Sequence, residues 1–437
     1  MRRLATFGAA ALLVLVVGAC RDDGGGGNGD DAGGVTTDFG VTTEPCPDAV
    51  NADNGCIYLG TLTDLTGPFA GFGTPLTAAQ EAFWQRVNEE GGITADGVDQ
   101  AFDVNVTEYS ESTGYDPTEH SRLYEEIKPD ILALAQTLGT PQTQAILEDM
   151  KASDIIAAPA GYSSLFNFED VILESSANYC VETMNSVDYA VETYGVESVL
   201  SVHFEGDYGE DAAAGAQIAA EAQGLEFSHV PTPPGADQQE EAVGRILAEQ
   251  PDLVIITTGP TEAAAIVGGA AANEFTGRFI GTNPTWNPAL LASPAGDALL
   301  ALYEAGGTFP TFGSDTPAHQ ALAAAVGTPD DLNDGYTAGW MWQYPIKTVL
   351  EQALANEDLT RAGVRSVAMG LATVDYEGML PAEAGNYAGG APAQLRQTMI
   401  SAPDPEAPTG LTTVQDYFVG PTAEAWEPDV CFEQLTD

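Results

Sequence analysis

From position 56 onward, short apolar runs alternate with longer stretches in which apolar residues recur every three or four positions. Ile57 to Leu62 has the length and composition of a buried strand, and Asp64-Leu65-Thr66-Gly67-Pro68 marks a loop. An amphipathic helix is expected to start near Thr74-Pro75, with Leu76, Ala79, Phe83 and Val87 on one face and Glu90-Gly91-Gly92 as its stop. The alternation then predicts strands at Phe102 to Val106, Ile131 to Ala135 and Ile155 to Ala158, with helices at Pro117 to Ile127 and Pro141 to Lys151. A second series begins with a helix from near Val181 to Tyr194. Strands at Ser198 to Val202, Glu226 to Val230, Leu253 to Thr257 and Arg278 to Gly281 follow, separated by helices at Asp211 to Gln223, Gln238 to Glu249 and Thr261 to Asn273.

Sustained alternation of this kind argues for a parallel sheet with helices on both faces. Two such series in tandem give an α/β chain of two doubly wound parallel-sheet lobes, with a cleft between the carboxyl ends of their strands. The last third is mixed. Tyr336 to Ala355 reads as one helix, Thr373 to Tyr376 and Asp416 to Val419 as late strands, and Pro381 to Gly410 is rich in Pro, Gly and Ala. The chain is therefore expected to return to the first lobe and cross back to the second.

The N-terminus sets the compartment. Arg2 and Arg3 precede an apolar run, Leu4 to Val17, that is short for a bilayer span and ends in Val17-Gly18-Ala19-Cys20. This order resembles the lipobox of bacterial lipoproteins. The resemblance implies cleavage before Cys20, lipidation of its sulfur, and residence on the outer face of the cytoplasmic membrane or in the periplasm. An ordinary signal peptide with an incidental Cys20 is the alternative. Arg21 to Gly34 is nearly all Gly, Asp and Asn, a composition with no apolar surface to offset the entropy of ordering, so a flexible tether is expected. The expected division is 1–19 signal, 20–45 lipidated cysteine and tether, 46–182 with 312–372 the first lobe, and 183–311 with 373–437 the second.

Composition narrows the partners. The 437 residues carry 65 acidic and 13 basic side chains, a net charge of −52, which repels phosphate backbones and excludes nucleic acid. Cys46, Cys56, Cys180 and Cys431 form an even set in an exported chain and suggest two disulfides. Three pairings are open, and loop economy favours Cys46 with Cys56 and Cys180 with Cys431. His120, His203, His229 and His319 are scattered singly, so neither a metal nor another cofactor is expected.

Leu62-Thr63-Asp64-Leu65-Thr66-Gly67-Pro68-Phe69-Ala70-Gly71-Phe72-Gly73, followed by a helix and Asn88-Glu89-Glu90-Gly91-Gly92-Ile93, is similar to the N-terminal signature of type I periplasmic binding proteins for leucine, isoleucine and valine. Asp207-Tyr208-Gly209 and Phe279-Ile280-Gly281-Thr282-Asn283 resemble two later landmarks in the right order. The resemblance implies a multi-strand hinge between the lobes, a small polar ligand captured by hinge closure, ABC permease subunits as partners, and a monomer. It places Phe72, Leu138, Gly139, Thr140 and the loop Gly161, Tyr162, Ser163 and Ser164 on the first-lobe side of the ligand. It places Tyr208, Thr258, Gly259 and Asn283 on the second. Taken alone, Phe72 and Tyr208 also suit a core, and Thr140, Ser163 and Ser164 are equally suited to capping helices. Relatives that bind amino acids place a carboxylate for the ligand ammonium where this chain has Asn283. An amide cannot neutralise a buried cation, so amides and carboxylic acids become candidate ligands beside branched-chain amino acids. Asp64, Glu205 and Asp207 are candidates to replace the missing charge.

Two other functions compete. A secreted hydrolase lacks support, since Gly161-Tyr162-Ser163-Ser164-Leu165 misses the last glycine of a nucleophile elbow and no nearby histidine offers a base. No enzymatic activity is expected. A lipid-anchored sensor subunit remains open, because the sequence does not separate transport from sensing.

Overall fold

The computed structural model describes residues 30–32 and 34–436. The signal, Cys20 and the first part of the expected tether lie outside the described residues. Strands already lie within the expected tether. β1 (Asp30–Ala32) pairs with β2 (Val35–Thr37), and Val35 is fully buried in the first-lobe core. The expected tether to residue 45 is corrected accordingly: Val35-Thr36-Thr37 alternates inward and outward like any strand with one buried face, a signal that the glycines before it obscured.

In the first lobe β3 (Val41–Thr42) lies antiparallel to β4 (Gly55–Thr63). Parallel to β4 run β5 (Phe102–Asn105), β6 (Ser110–Ser112) and β7 (Ala133–Leu138), and β8 (Ala157–Ala160) follows β7. Every residue of β7 and β8 is buried, as expected of strands covered on both faces. The covering helices include α1 (Ala70–Glu89), α2 (Pro117–Ile127) and α3 (Thr140–Ala152). The start of α2 is fixed by Asp116, whose carboxylate accepts the N–H groups of Thr118 and Glu119 at 2.8 and 3.0 Å.

The second lobe opens with α4 (Tyr179–Tyr194). It continues through β9 (Ser198–Phe204), α5 (Asp207–Gln223), β10 (Glu226–Thr232), α6 (Glu240–Glu249), β11 (Leu253–Thr257), α7 (Pro260–Ala272), β12 (Arg278–Gly281), α8 (Gly296–Leu302) and β13 (Tyr303–Gly307). The chain then returns to the first lobe with α9 (Pro317–Val326), α10 (Gly335–Met341), α11 (Gln343–Ala355), β14 (Asp358–Leu359) beside β2, and α12 (Arg361–Gly370). A last crossing adds β15 (Thr398–Pro403) and β16 (Leu411–Phe418) antiparallel to the second sheet, whose order is β10-β9-β11-β12-β13-β15-β16.

Three expectations for the last third change. The helix expected over Tyr336 to Ala355 breaks at Trp342, because Pro345 has no N–H for the Met341 carbonyl. Thr373 to Tyr376 is not a strand. The Asp375 carboxylate accepts the Glu377 N–H at 2.8 Å, turning the chain, and Val374 and Tyr376 are drawn into the first-lobe core. Met379, Leu380, Ala384 and Leu395 join that core too, so the crossing to the second sheet falls near Thr398 rather than at 373.

Disulfides join Cys46 to Cys56 and Cys180 to Cys431, with Cα separations of 4.8 and 6.2 Å. The first staples the entry to β4, and the second ties α4 to the C-terminal turn.

Candidate ligand-binding cleft

The loops that leave the carboxyl ends of β4, β7, β8, β9, β11 and β12 face one another between the lobes. In the first of them Asp64 is fully buried and accepts the N–H groups of Thr66, Gly67 and Phe69 at 3.1, 2.5 and 2.9 Å. That carboxylate builds the turn presenting Phe69 and Phe72. It is committed to the backbone and does not replace the missing charge. Glu205 is exposed, and the Asp207 side chain lies outside the described residues.

Gly139, at φ +99°, begins α3, and a Cβ there would collide with the Gln142 side chain and approach the Tyr115 ring. Gln142 in turn donates to the Tyr115 carbonyl at 2.8 Å, so the two loops are locked together. The Thr140 hydroxyl is buried without a hydrogen-bond partner. It sits at the start of α3, where the first N–H groups of a helix also have no intrahelical acceptor. This is a donor-rich corner suited to an anion.

On the opposite side the Tyr208 hydroxyl is doubly engaged, at 3.1 Å from the Thr258 carbonyl, to which it donates, and 3.1 Å from the Thr282 hydroxyl. Its ring meets Tyr179 edge-on at 4.7 Å. Together the loops enclose a cavity of about 30 Å³, walled by Phe69, Phe72, Tyr115, Leu138, Gly139, Thr140 and Ala160 from the first lobe and Tyr179, Tyr208 and Pro284 from the second. None of these side chains is charged. Residues of both lobes share this wall, so the lobes meet here, with α3 packed against α5.

Residues 57–400 match the family model described as periplasmic binding protein. The chain belongs to the periplasmic binding protein family. Members of this α/β family bind solutes without transforming them, and the two lobes have the type I arrangement. Among solved structures the chain is similar to the fatty acid ABC transporter substrate-binding protein from Thermomonospora curvata, at 28% identity over 91% of this chain and 98% of that one, with a TM-score of 0.81. It shares its fold with the branched-chain amino acid ABC transporter protein from Thermus thermophilus with bound valine, at 18% identity, 85% and 98% coverage and a TM-score of 0.73. The leucine-binding protein from Thermotoga maritima, at 13% identity, 83% and 99% coverage and a TM-score of 0.68, also shares it. No curated protein matches the chain by sequence.

Within this periplasmic binding protein the expected site residues divide. Phe72, Leu138, Gly139, Thr140 and Tyr208 come together at the cavity. Gly161, Tyr162, Ser163, Ser164, Thr258, Gly259 and Asn283 do not line it. Ser163 accepts the Leu165 N–H at 3.2 Å and starts a short helical turn, while Ser164 bonds Asp211 and accepts the Cys431 N–H at 2.8 Å. Both hydroxyls are thus engaged within the protein. Tyr162 is buried edge-on behind Tyr179 at 5.7 Å, and Gly161 faces the Thr140 hydroxyl from the side. Thr258 accepts the Tyr208 hydroxyl at its carbonyl, and Gly259 precedes α7. Asn283 gives its N–H to Glu182 at 2.8 Å, leaving the next residue, Pro284, on the wall.

The motif reading missed Phe69, Tyr115, Ala160, Tyr179 and Pro284. Phe69 and Ala160 adjoin recognised positions. Tyr115 and Tyr179 stand just before and at the starts of α2 and α4, where a rule that cleft residues cluster at strand-to-helix loops would have found them.

Proposed function

We propose that this chain is the extracytoplasmic substrate-binding component of an ABC importer and that its ligand is a small apolar carboxylate rather than an α-amino acid. One observation carries the ligand class: among the described residues the cleft wall has a hydroxyl and a helix N-terminus at one corner, aromatic rings elsewhere, and no charged side chain. A carboxylate finds donors at Thr140 and the first turn of α3. An ammonium would find no anion among the described residues of the wall, and leaving such a charge unpaired costs roughly several kcal/mol. The fatty acid named for the Thermomonospora curvata relative supports this reading, and the valine of the Thermus thermophilus protein marks the alternative.

Capture proceeds by hinge motion. Tyr208 and Pro284 of the second lobe cover the first-lobe wall, so entry requires the lobes to separate; the ligand's polar end settles on α3 and Tyr208 closes over its apolar part. Lipidation at Cys20 would hold the body beside permease subunits. Melting curves of the protein with butanoate, hexanoate, octanoate, leucine and valine test the ligand class, because a molecule bound only by the native state raises the melting temperature. A saturable rise with a fatty carboxylate and none with leucine or valine is expected. A rise with leucine or valine alone would overturn the proposal.

A further inference from the structure

One buried carboxyl lies a layer behind the cleft wall. Glu182 is on α4, three residues after Tyr179 and therefore on the same face of the helix. It is fully buried, and its Oε1 accepts the Asn283 N–H at 2.8 Å while its Oε2 has no hydrogen-bond partner. β13 makes room for it with a glycine: a Cβ on Gly306 would come within 2.8 Å of the carboxyl oxygen. The carboxyl is thus built into the support of the loop that carries Pro284 to the cavity.

We propose that Glu182 is a positioning and specificity-determining residue: as a neutral acid it holds the 282–284 loop in place and tolerates an anionic ligand, and on ionising it repels one. The inference rests on the carboxylate reading of the cleft. Burial pushes the Glu182 carboxyl up to about 8, the Asn283 N–H only partly opposing this. The groups that feel its charge are phenols: Tyr179 on its own helix, Tyr162 from the segment after β8, Tyr208 on α5 and Tyr303 on β13, all raised chiefly by burial and so neutral themselves. On the other elements packed against α4, Glu304 of β13 bonds the hydroxyls of Tyr189 and Tyr194, Glu424 is exposed, and Asp211 of α5 bonds Ser164 and is raised by burial to about 7. Comparing wild type with Glu182→Gln, which keeps the acceptor for Asn283, removes the Asp211 contribution from the difference.

The sign follows from the raised value. A carboxyl that holds its proton in the folded state up to about pH 8 but releases it near pH 4.5 when unfolded favours folding at low pH, and that contribution is lost as pH rises through this window. Isothermal titration of the full chain with octanoate between pH 6 and 9.5 should therefore show wild-type affinity steady at the acid end. Above pH 8 it should fall by up to about tenfold per unit. Glu182→Gln should bind within about threefold of wild type at pH 6 and show no such fall. Glu182→Ala, which releases the Asn283 N–H, should be weaker throughout. Failure of octanoate to bind at pH 6 overturns the carboxylate reading. Binding with the same pH profile in wild type and Glu182→Gln overturns the Glu182 role alone. Ligand-free melting curves decide that role independently: Glu182→Gln should gain on wild type steadily from pH 5 to 8, and a constant difference would overturn it.

Discussion

At the start of a long helix the first lobe places Phe72-Gly73 and the second places Tyr208-Gly209. In both, the glycine is forced by contact: a Cβ on Gly73 would collide with the Asp64 carbonyl oxygen, and one on Gly209 with that of Phe204. Each lobe brings a helix start hard against the end of a strand and so aims an aromatic ring into the cleft. The polar groups then diverge. The first lobe leaves the Thr140 hydroxyl without a partner at a helix N-terminus, whereas the second satisfies its Tyr208 hydroxyl internally. One lobe is built to grip a polar group, the other to cover an apolar one.

The largest expected difference between the lobes lies in their disulfides. Cys180–Cys431 closes a separation of 251 residues and Cys46–Cys56 one of 10. Chain entropy assigns them about 5.5 and about 2.7 kcal/mol. Denaturant melts of Cys180→Ser with Cys431→Ser, and of Cys46→Ser with Cys56→Ser, should keep that order. A reversed order would mean that the second lobe's C-terminal turn is held by its packing, including the Cys431 N–H to Ser164 bond, rather than by the covalent link.

Next in size is the shared device. Gly73→Ala and Gly209→Ala should each lose about 2–3 kcal/mol by overpacking against backbone that has no flexible side chain to yield. Gly71→Ala, where a Cβ meets nothing within 4 Å, is the control and should stay within about 0.5 kcal/mol of wild type. If only one of the two glycines were sensitive, the likeness between the lobes would be a likeness of sequence and not of construction.

These glycines were readable before the fold because each follows an aromatic residue inside a recognised motif. The alternation of strands and helices was readable for a similar reason: β4, β7, β9 and β11 are buried almost throughout and appear as short, mostly apolar runs. What escaped was whatever depends on direction. Ser163 and Ser164 have the residue types of a binding loop, yet their hydroxyls turn to the backbone and to Asp211, and no spacing rule reports that turn. Glu182 lies in a helix whose pattern is ordinary. Only the second sheet closing against α4 makes it a buried acid behind Asn283. Val374 and Tyr376 alternate like a strand but find no sheet edge, so burial in the first core replaces pairing.

The finest test of the comparison is a pair of hydroxyl deletions. Thr140→Ala removes a hydroxyl that has no partner in the closed protein, so the fold loses little while a bound carboxylate loses a donor; octanoate affinity should drop about tenfold, near 1.4 kcal/mol, and Thr140→Ser should restore it. Tyr208→Phe removes a hydroxyl bonded within its own lobe. It should lower stability by about 1 kcal/mol and leave octanoate affinity within about threefold of wild type, because the ring, not the oxygen, faces the ligand. Titration and melting of both variants separate the cases. The opposite result, with Tyr208→Phe losing affinity and Thr140→Ala losing only stability, would move the ligand's polar end to the second lobe and require Tyr208 to exchange its bonds to Thr258 and Thr282 for one to the ligand.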